Sequence, residues 1–108
     1  MHDPIHGHTI RWKYEDGPSA GTSFEHEFHD DGTVAYWMTG SMEPTIERNY
    51  EVAQVTEMVF AVSYLTRSGW TLTSILDFDT GRLVTFASNA HELTVQHGYF
   101  QVITRHAA

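Results

Sequence analysis

Apolar and polar residues alternate with a period of two through most of the chain. In Thr9-Ile10-Arg11-Trp12-Lys13-Tyr14, Ile10, Trp12 and Tyr14 share one face while Arg11 and Lys13 share the other. Such alternation predicts a half-buried strand, because successive side chains of a strand point to opposite faces. Residues 15–21 hold two Gly, a Pro and a Ser and read as a loop. Phe24, His26 and Phe28 then alternate with Glu25, Glu27 and His29. The two Phe set the inward face, and His26 turns inward with them. Asp30-Asp31-Gly32 closes a hairpin, since Gly accepts positive φ without a Cβ clash. The returning arm, Val34 to Thr39, is apolar on both faces, and its alternation alone does not choose between them.

Residues 39–49 form a longer break with Gly40 and Pro44, in which 43–48 reads as either a single helical turn or a plain loop. Strands are predicted at 50–55, 58–66, 70–77, 82–88 and 99–104, and 90–96 is open between a short strand and a helical turn. The connections are short, as antiparallel neighbours require. About eight short strands with no long helix predict an all-β fold. Consecutive hairpins favour up-and-down order, and such a sheet can close into a barrel that holds one small ligand. Residues 1–8 are expected to be a flexible arm and residues 9–108 a single β-barrel domain.

Composition narrows the function. At 108 residues and 41% hydrophobic, the chain can bury a real core. Six Lys+Arg against fourteen Asp+Glu give a formal net charge of −8. That charge argues against nucleic acid or an anionic membrane as partner. The absence of Cys excludes disulfides, thiolate catalysis and Cys-based zinc sites. No apolar run reaches the ~18 residues of a membrane span, and the N-terminus has no signal-peptide pattern. A cytoplasmic location is expected. Eight histidines are present, three of them at His2, His6 and His8, but no spacing presets a metal-ligand set. No phosphate-binding loop or nucleophile motif occurs. We therefore expect neither a metal nor a cofactor.

The candidate chemistry lies on the predicted inner faces. His26 is a candidate general acid or base. Tyr14, Tyr36 and Tyr64 could place hydroxyls around a small ligand in a largely apolar pocket. Trp12, Trp70, Phe60 and Phe86 read as wall or core. Arg48 is a candidate partner for an anionic ligand, because Arg grips carboxylates bidentately.

A family resemblance rests on Tyr14-Glu15-Asp16-Gly17, Phe24 to Phe28, Asp31-Gly32-Thr33-Val34-Ala35-Tyr36, Tyr50-Glu51-Val52, Val59-Phe60-Ala61-Val62-Ser63-Tyr64 and Ser68-Gly69. In that order they resemble the bacterial phenolic acid decarboxylases and the related MoaF-like proteins. Leu76-Asp77-Phe78-Asp79-Thr80-Gly81-Arg82-Leu83-Val84-Thr85-Phe86 is closer to the MoaF-like group. The resemblance implies a small calycin- or lipocalin-like barrel. In the decarboxylases a para-hydroxycinnamic acid sits inside, served by two tyrosines of the first strand, an arginine and a glutamate. The second tyrosine falls on Tyr14, and the first falls on Trp12. The arginine falls near Thr45, with Arg48 close by, and the glutamate falls on Thr66. The resemblance also turns Phe24, Phe28, Tyr36 and Met38 inward and Trp37 outward or towards a partner, and it implies a homodimer. The expected function is a small-molecule-binding barrel acting as a lyase- or isomerase-type enzyme on a small aromatic or apolar metabolite. Tyr14, His26 and Tyr36 would be catalytic. Trp12, Phe24, Phe28, Met38, Arg48, Tyr64, Thr66 and Trp70 would hold the ligand. The alternatives are a carrier or sensor without catalysis and an accessory dimeric subunit.

Overall fold

The computed structural model describes residues 3–103. Nine strands follow one another: β1 (Thr9–Tyr14), β2 (Ser23–Phe28), β3 (Val34–Met38), β4 (Thr45–Glu47), β5 (Tyr50–Gln54), β6 (Val59–Leu65), β7 (Thr71–Asp77), β8 (Arg82–Ser88) and β9 (Leu93–Ile103). They form one antiparallel sheet in the order β4-β3-β2-β1-β9-β8-β7-β6-β5. Pairing of β1 with β9 joins the two halves, and the sheet curls into a nearly closed up-and-down barrel. Among the described residues there is no helix, and so none long and apolar enough to cross a membrane.

The predicted hairpin forms as read. His26 pairs with Tyr36 and Phe24 with Met38 across β2 and β3. Gly32 turns the chain at φ 94°, donating its N–H to the His29 carbonyl, while the Asp31 carboxylate accepts from the Thr33 N–H. Two elements differ from the sequence reading. The segment that read as a loop or helical turn contains β4, whose three residues pair with Val34 to Tyr36. The two last apolar runs are one strand of 11 residues, β9. Thr104, the end of the last predicted strand, lies outside the described residues.

The remaining seam lies between β4 and β5. Eight successive antiparallel pairings make these two segments run in the same direction. They are consecutive pieces of one strand kinked at Arg48-Asn49: the first piece pairs with β3 and the second with β6. Nine segments thereby build the eight-stranded barrel that the alternation predicts.

Residues 3–8 are docked rather than loose. Ile5 is 0% exposed, the Gly7 N–H donates to the Phe28 carbonyl, and the Phe28 N–H donates to His8. The cause is apolar burial: Ile5 joins Phe28, Phe60, Leu76, Leu83 and Phe100 to seal one end of the barrel. Of the three arm histidines, His6 donates from Nδ1 to Asp3 at 2.6 Å, His8 donates to the His6 carbonyl, and His2 lies outside the described residues.

Candidate functional site

The barrel is filled unevenly along its axis. At the end sealed by Ile5, inward positions carry large side chains such as Phe60, Leu76, Leu83 and Phe100. Toward the other end, inward positions of β7, β8 and β9 include the small Ser74, Thr85, Ala87 and Thr94 beside Leu72 and Gln96. The aromatic residues of β1, β2 and β3, packed on one another, therefore border a space. The result is a cavity of about 470 Å³. Its mouth is bordered by the loops after β1, β6 and β8, through Ser19, Ser68 and Glu92.

His26 lies at the centre of the aromatic wall. Trp12 stacks on it with ring centroids 3.8 Å apart and an interplanar angle of 28°. Phe28 and Tyr36 stack with its ring at 5.8 and 5.5 Å, and Tyr36 stacks in turn on Tyr64 at 5.6 Å. Burial among these rings pushes the His26 imidazole down to about 3, so it is neutral at physiological pH. Its Nε2 is 3.0 Å from the Tyr64 hydroxyl, while Nδ1 is buried without a partner. Trp12 Nε1 is likewise unpartnered. One proton is shared in the His26–Tyr64 contact. If the tyrosine donates it, the imidazole N–H sits at the orphan Nδ1; if Nε2 donates it, the tyrosine hydrogen is free.

Three tyrosines, Tyr14, Tyr36 and Tyr64, are among the polar side chains of the lining. Tyr14 donates to Thr85 Oγ1 at 3.0 Å, and Thr85 and Ser74 share a hydrogen bond of 2.8 Å. Tyr36 donates to the Glu47 carboxylate at 3.0 Å. Glu47 is 3% exposed and also accepts from the Arg67 backbone N–H at 3.2 Å, while the Arg67 guanidinium caps the Ile46 carbonyl at 2.8 Å. These contacts lace β4 to the loop after β6 across the seam. Burial raises the Tyr14 and Tyr64 hydroxyls above the ordinary phenol range. Tyr36 is pushed up to about 12, first by burial and then by its bond to Glu47.

Nine of the eleven candidate residues line the cavity: Trp12, Tyr14 and Phe24; His26, Phe28 and Tyr36; and Tyr64, Thr66 and Trp70. Met38 does not. It is 54% exposed because the β3–β4 ladder stops at Tyr36, leaving Met38 a strand neighbour only on its β2 side. Arg48 is also outside: it is exposed at the β4–β5 kink, and alternation that turns Glu47 inward turns Arg48 out. It borders a second cleft of about 400 Å³ with Glu51 and Arg67. Phe86, read as wall or core, faces outward on β8, whose inward positions are Leu83, Thr85 and Ala87.

The sequence reading passed over Ser74, Thr85 and Gln96, which line the cavity, and Glu47 behind Tyr36. Ser74 and Thr85 carry a usable signal, because each stands in register with inward Leu72, Leu76 and Leu83 at period two. Glu47 carries none, being one acid in a segment with no periodicity. Among the described residues, no group of three or more His, Cys, Asp or Glu side chains is placed to hold a metal ion.

The model of the MoaF N-terminal domain family matches residues 2–92. No curated protein matches. Four solved chains match. One is a crystal structure from Burkholderia vietnamiensis, provisionally described as a beta-lactamase, with 20% identity and a TM-score of 0.76. The match covers 95% of this chain and 99% of that one, a likeness of fold.

Proposed function

We propose, on the premise that this chain belongs to the MoaF N-terminal domain family, that it binds a small, largely apolar and partly aromatic metabolite inside the barrel. The observation that carries this reading is the cavity of about 470 Å³ with an aromatic wall and a few fixed hydroxyls. Ligand sites are concave and mostly apolar, with a small number of placed polar groups that fix orientation. Binding without catalysis ranks first because the titratable groups are poorly matched to proton transfer. An effective acid or base has a pKa near the working pH. Here His26 is displaced to about 3 and Tyr36 to about 12, in opposite directions. Both suit neutral hydrogen bonding better than proton exchange. We place the protein in the cytoplasm as a carrier or sensor. Displacement of the neutral fluorophore N-phenyl-1-naphthylamine by small aromatics tests the reading. The absence of both fluorophore binding and a thermal shift with any of them would overturn it.

A lyase- or isomerase-type enzyme is the second reading, favoured by the orphan Nδ1 of His26 in a desolvated site, where hydrogen bonds to developing charge are strong. Tyr14, His26 and Tyr36 would then act on the substrate. Decarboxylation of hydroxycinnamates fits less well, since Trp12 and Thr66 stand where the resemblance calls for a tyrosine and a glutamate. Absorbance assays on hydroxycinnamates, with Tyr14→Phe and His26→Ala as controls, check it: turnover lost in both variants supports catalysis, and no turnover in the parent removes it.

We also propose a homodimer formed through the outer faces of β8 and β9. Phe86 and Val95 lie side by side there, 43% and 42% exposed. Phe86→Glu is expected to convert the dimer to a monomer in sedimentation velocity, and a monomeric parent would refute this.

A further inference from the structure

We infer, resting on the binding reading above, that the cavity selects an aromatic ligand whose polar group donates a hydrogen bond and carries no negative charge, a benzylic-type alcohol, phenol or arylalkylamine, and rejects aryl carboxylates. Tyr36 commits its hydrogen to Glu47, and Tyr14 commits its own to Thr85. Each phenol oxygen is left with lone pairs and no hydrogen to offer. An entering group meets two oxygens that can only accept. The Ser74–Thr85 pair shares one hydrogen and keeps a second, and the His26–Tyr64 pair likewise keeps one, at the buried Nδ1 or on the tyrosine. An alcohol or phenol matches that set, donating to a tyrosine oxygen and accepting from the Ser74–Thr85 pair.

Charge points the same way. The titratable groups facing the cavity are Tyr14 on β1, His26 on β2, Tyr36 on β3, Tyr64 on β6 and Glu92 at the mouth, with Glu47 behind Tyr36. None of these is a cation at neutral pH, since His26 is neutral among its stacked rings. The guanidinium beside Glu47 is turned away: Arg67 is 74% exposed and engages Ile46 and Glu47. A carboxylate moved into this space would lose its water and find a few neutral donors, two carboxylates and no cation to balance its charge. Burial of an unpaired charge is strongly disfavoured. An ammonium would lie among the rings of Trp12, Tyr36 and Trp70 that line the space, and aromatic rings attract cations.

Isothermal titration at pH 7.5 with 2-naphthylmethanol, 2-naphthylmethylamine and 2-naphthoate tests this, because the three share one ring system and differ in charge. The alcohol and the amine are expected to bind at least about tenfold more tightly than the acid, the scale on which mismatched polar groups discriminate. Lowering the pH to 5 should recover part of the naphthoate affinity and leave that of the alcohol unchanged. Tyr36→Phe should weaken the alcohol but not naphthalene itself. Naphthoate binding as tightly as the alcohol at pH 7.5 overturns the selectivity while leaving the binding site standing. Failure of all four probes overturns the binding reading and this inference together.

Discussion

The most consequential residue is His26, because its burial ties the pocket to stability. Its folded-state pKa of about 3 lies below the 6.5 of an unperturbed histidine. Below pH 6.5 the unfolded chain takes up a proton that the native state refuses until about pH 3. Stability is therefore fully present above 6.5 and falls as the pH drops through that window. The slope is about 1.4 kcal/mol per pH unit from this group. Urea denaturation at pH 6.5 and pH 5 should show a loss on the order of 2 kcal/mol in the parent, with a distinctly smaller loss in His26→Phe. Equal losses would mean that another group sets the slope. Tyr36 makes a second residue-scale case. Tyr36→Phe removes a hydroxyl donor from the buried Glu47 carboxylate, which is expected to cost about 1–3 kcal/mol. His26 was legible on the inward face once the hairpin was read and Tyr36 only through the family resemblance, but Glu47 was not, because a lone acid in an aperiodic stretch looks like loop.

At the scale of elements, the pairing of β1 with β9 and the kinked β4–β5 strand decide whether the sheet closes. Gly98 sits where β9 crosses β1, and a Cβ there would run into the Lys13 carbonyl oxygen and the backbone beside it. The obstacle is main chain, so the strands would have to separate. Gly98→Ala is expected to destabilise by about 2–4 kcal/mol, read as a shifted denaturation midpoint; a change below about 0.5 kcal/mol, the range of ordinary surface substitutions, would count against this closure. The same glycine explains why β9 reads as two pieces. His97-Gly98 interrupts the apolar run, and a Gly inside a strand looks like a break when it marks a close backbone approach. β4 was hidden for a different reason. Three residues are too few to show a period, and its existence depends on β3 offering an edge. The long alternating strands, by contrast, were fixed by local pattern and turn chemistry, and they stand where the alternation put them.

For the molecule as a whole, the unequal filling of the barrel links stability to ligand. Large inward side chains seal one end, while Ser74, Thr85, Ala87 and Thr94 leave the other unfilled. Alternation tells which residues point in, but not whether their volumes fill the space. That requires knowing which positions meet at one level of the barrel, so the barrel was legible and the cavity's size was not. An apolar cavity leaves its lining without dispersion partners, and an occupant restores them. A ligand at a hundred times its Kd stabilises the native state by about 2.7 kcal/mol, and for a domain of this size each kcal/mol shifts Tm by about 4–8 °C. Saturating 2-naphthylmethanol should therefore raise the Tm by about 10 °C or more. Ala87→Trp would supply the missing volume from the wall itself, since Ala87 points into the cavity from β8 near its mouth. Its Tm without ligand should match or exceed that of the parent, and the naphthylmethanol shift should vanish. If the shift persists undiminished in the folded variant, the ligand binds elsewhere, and this cavity is not the site.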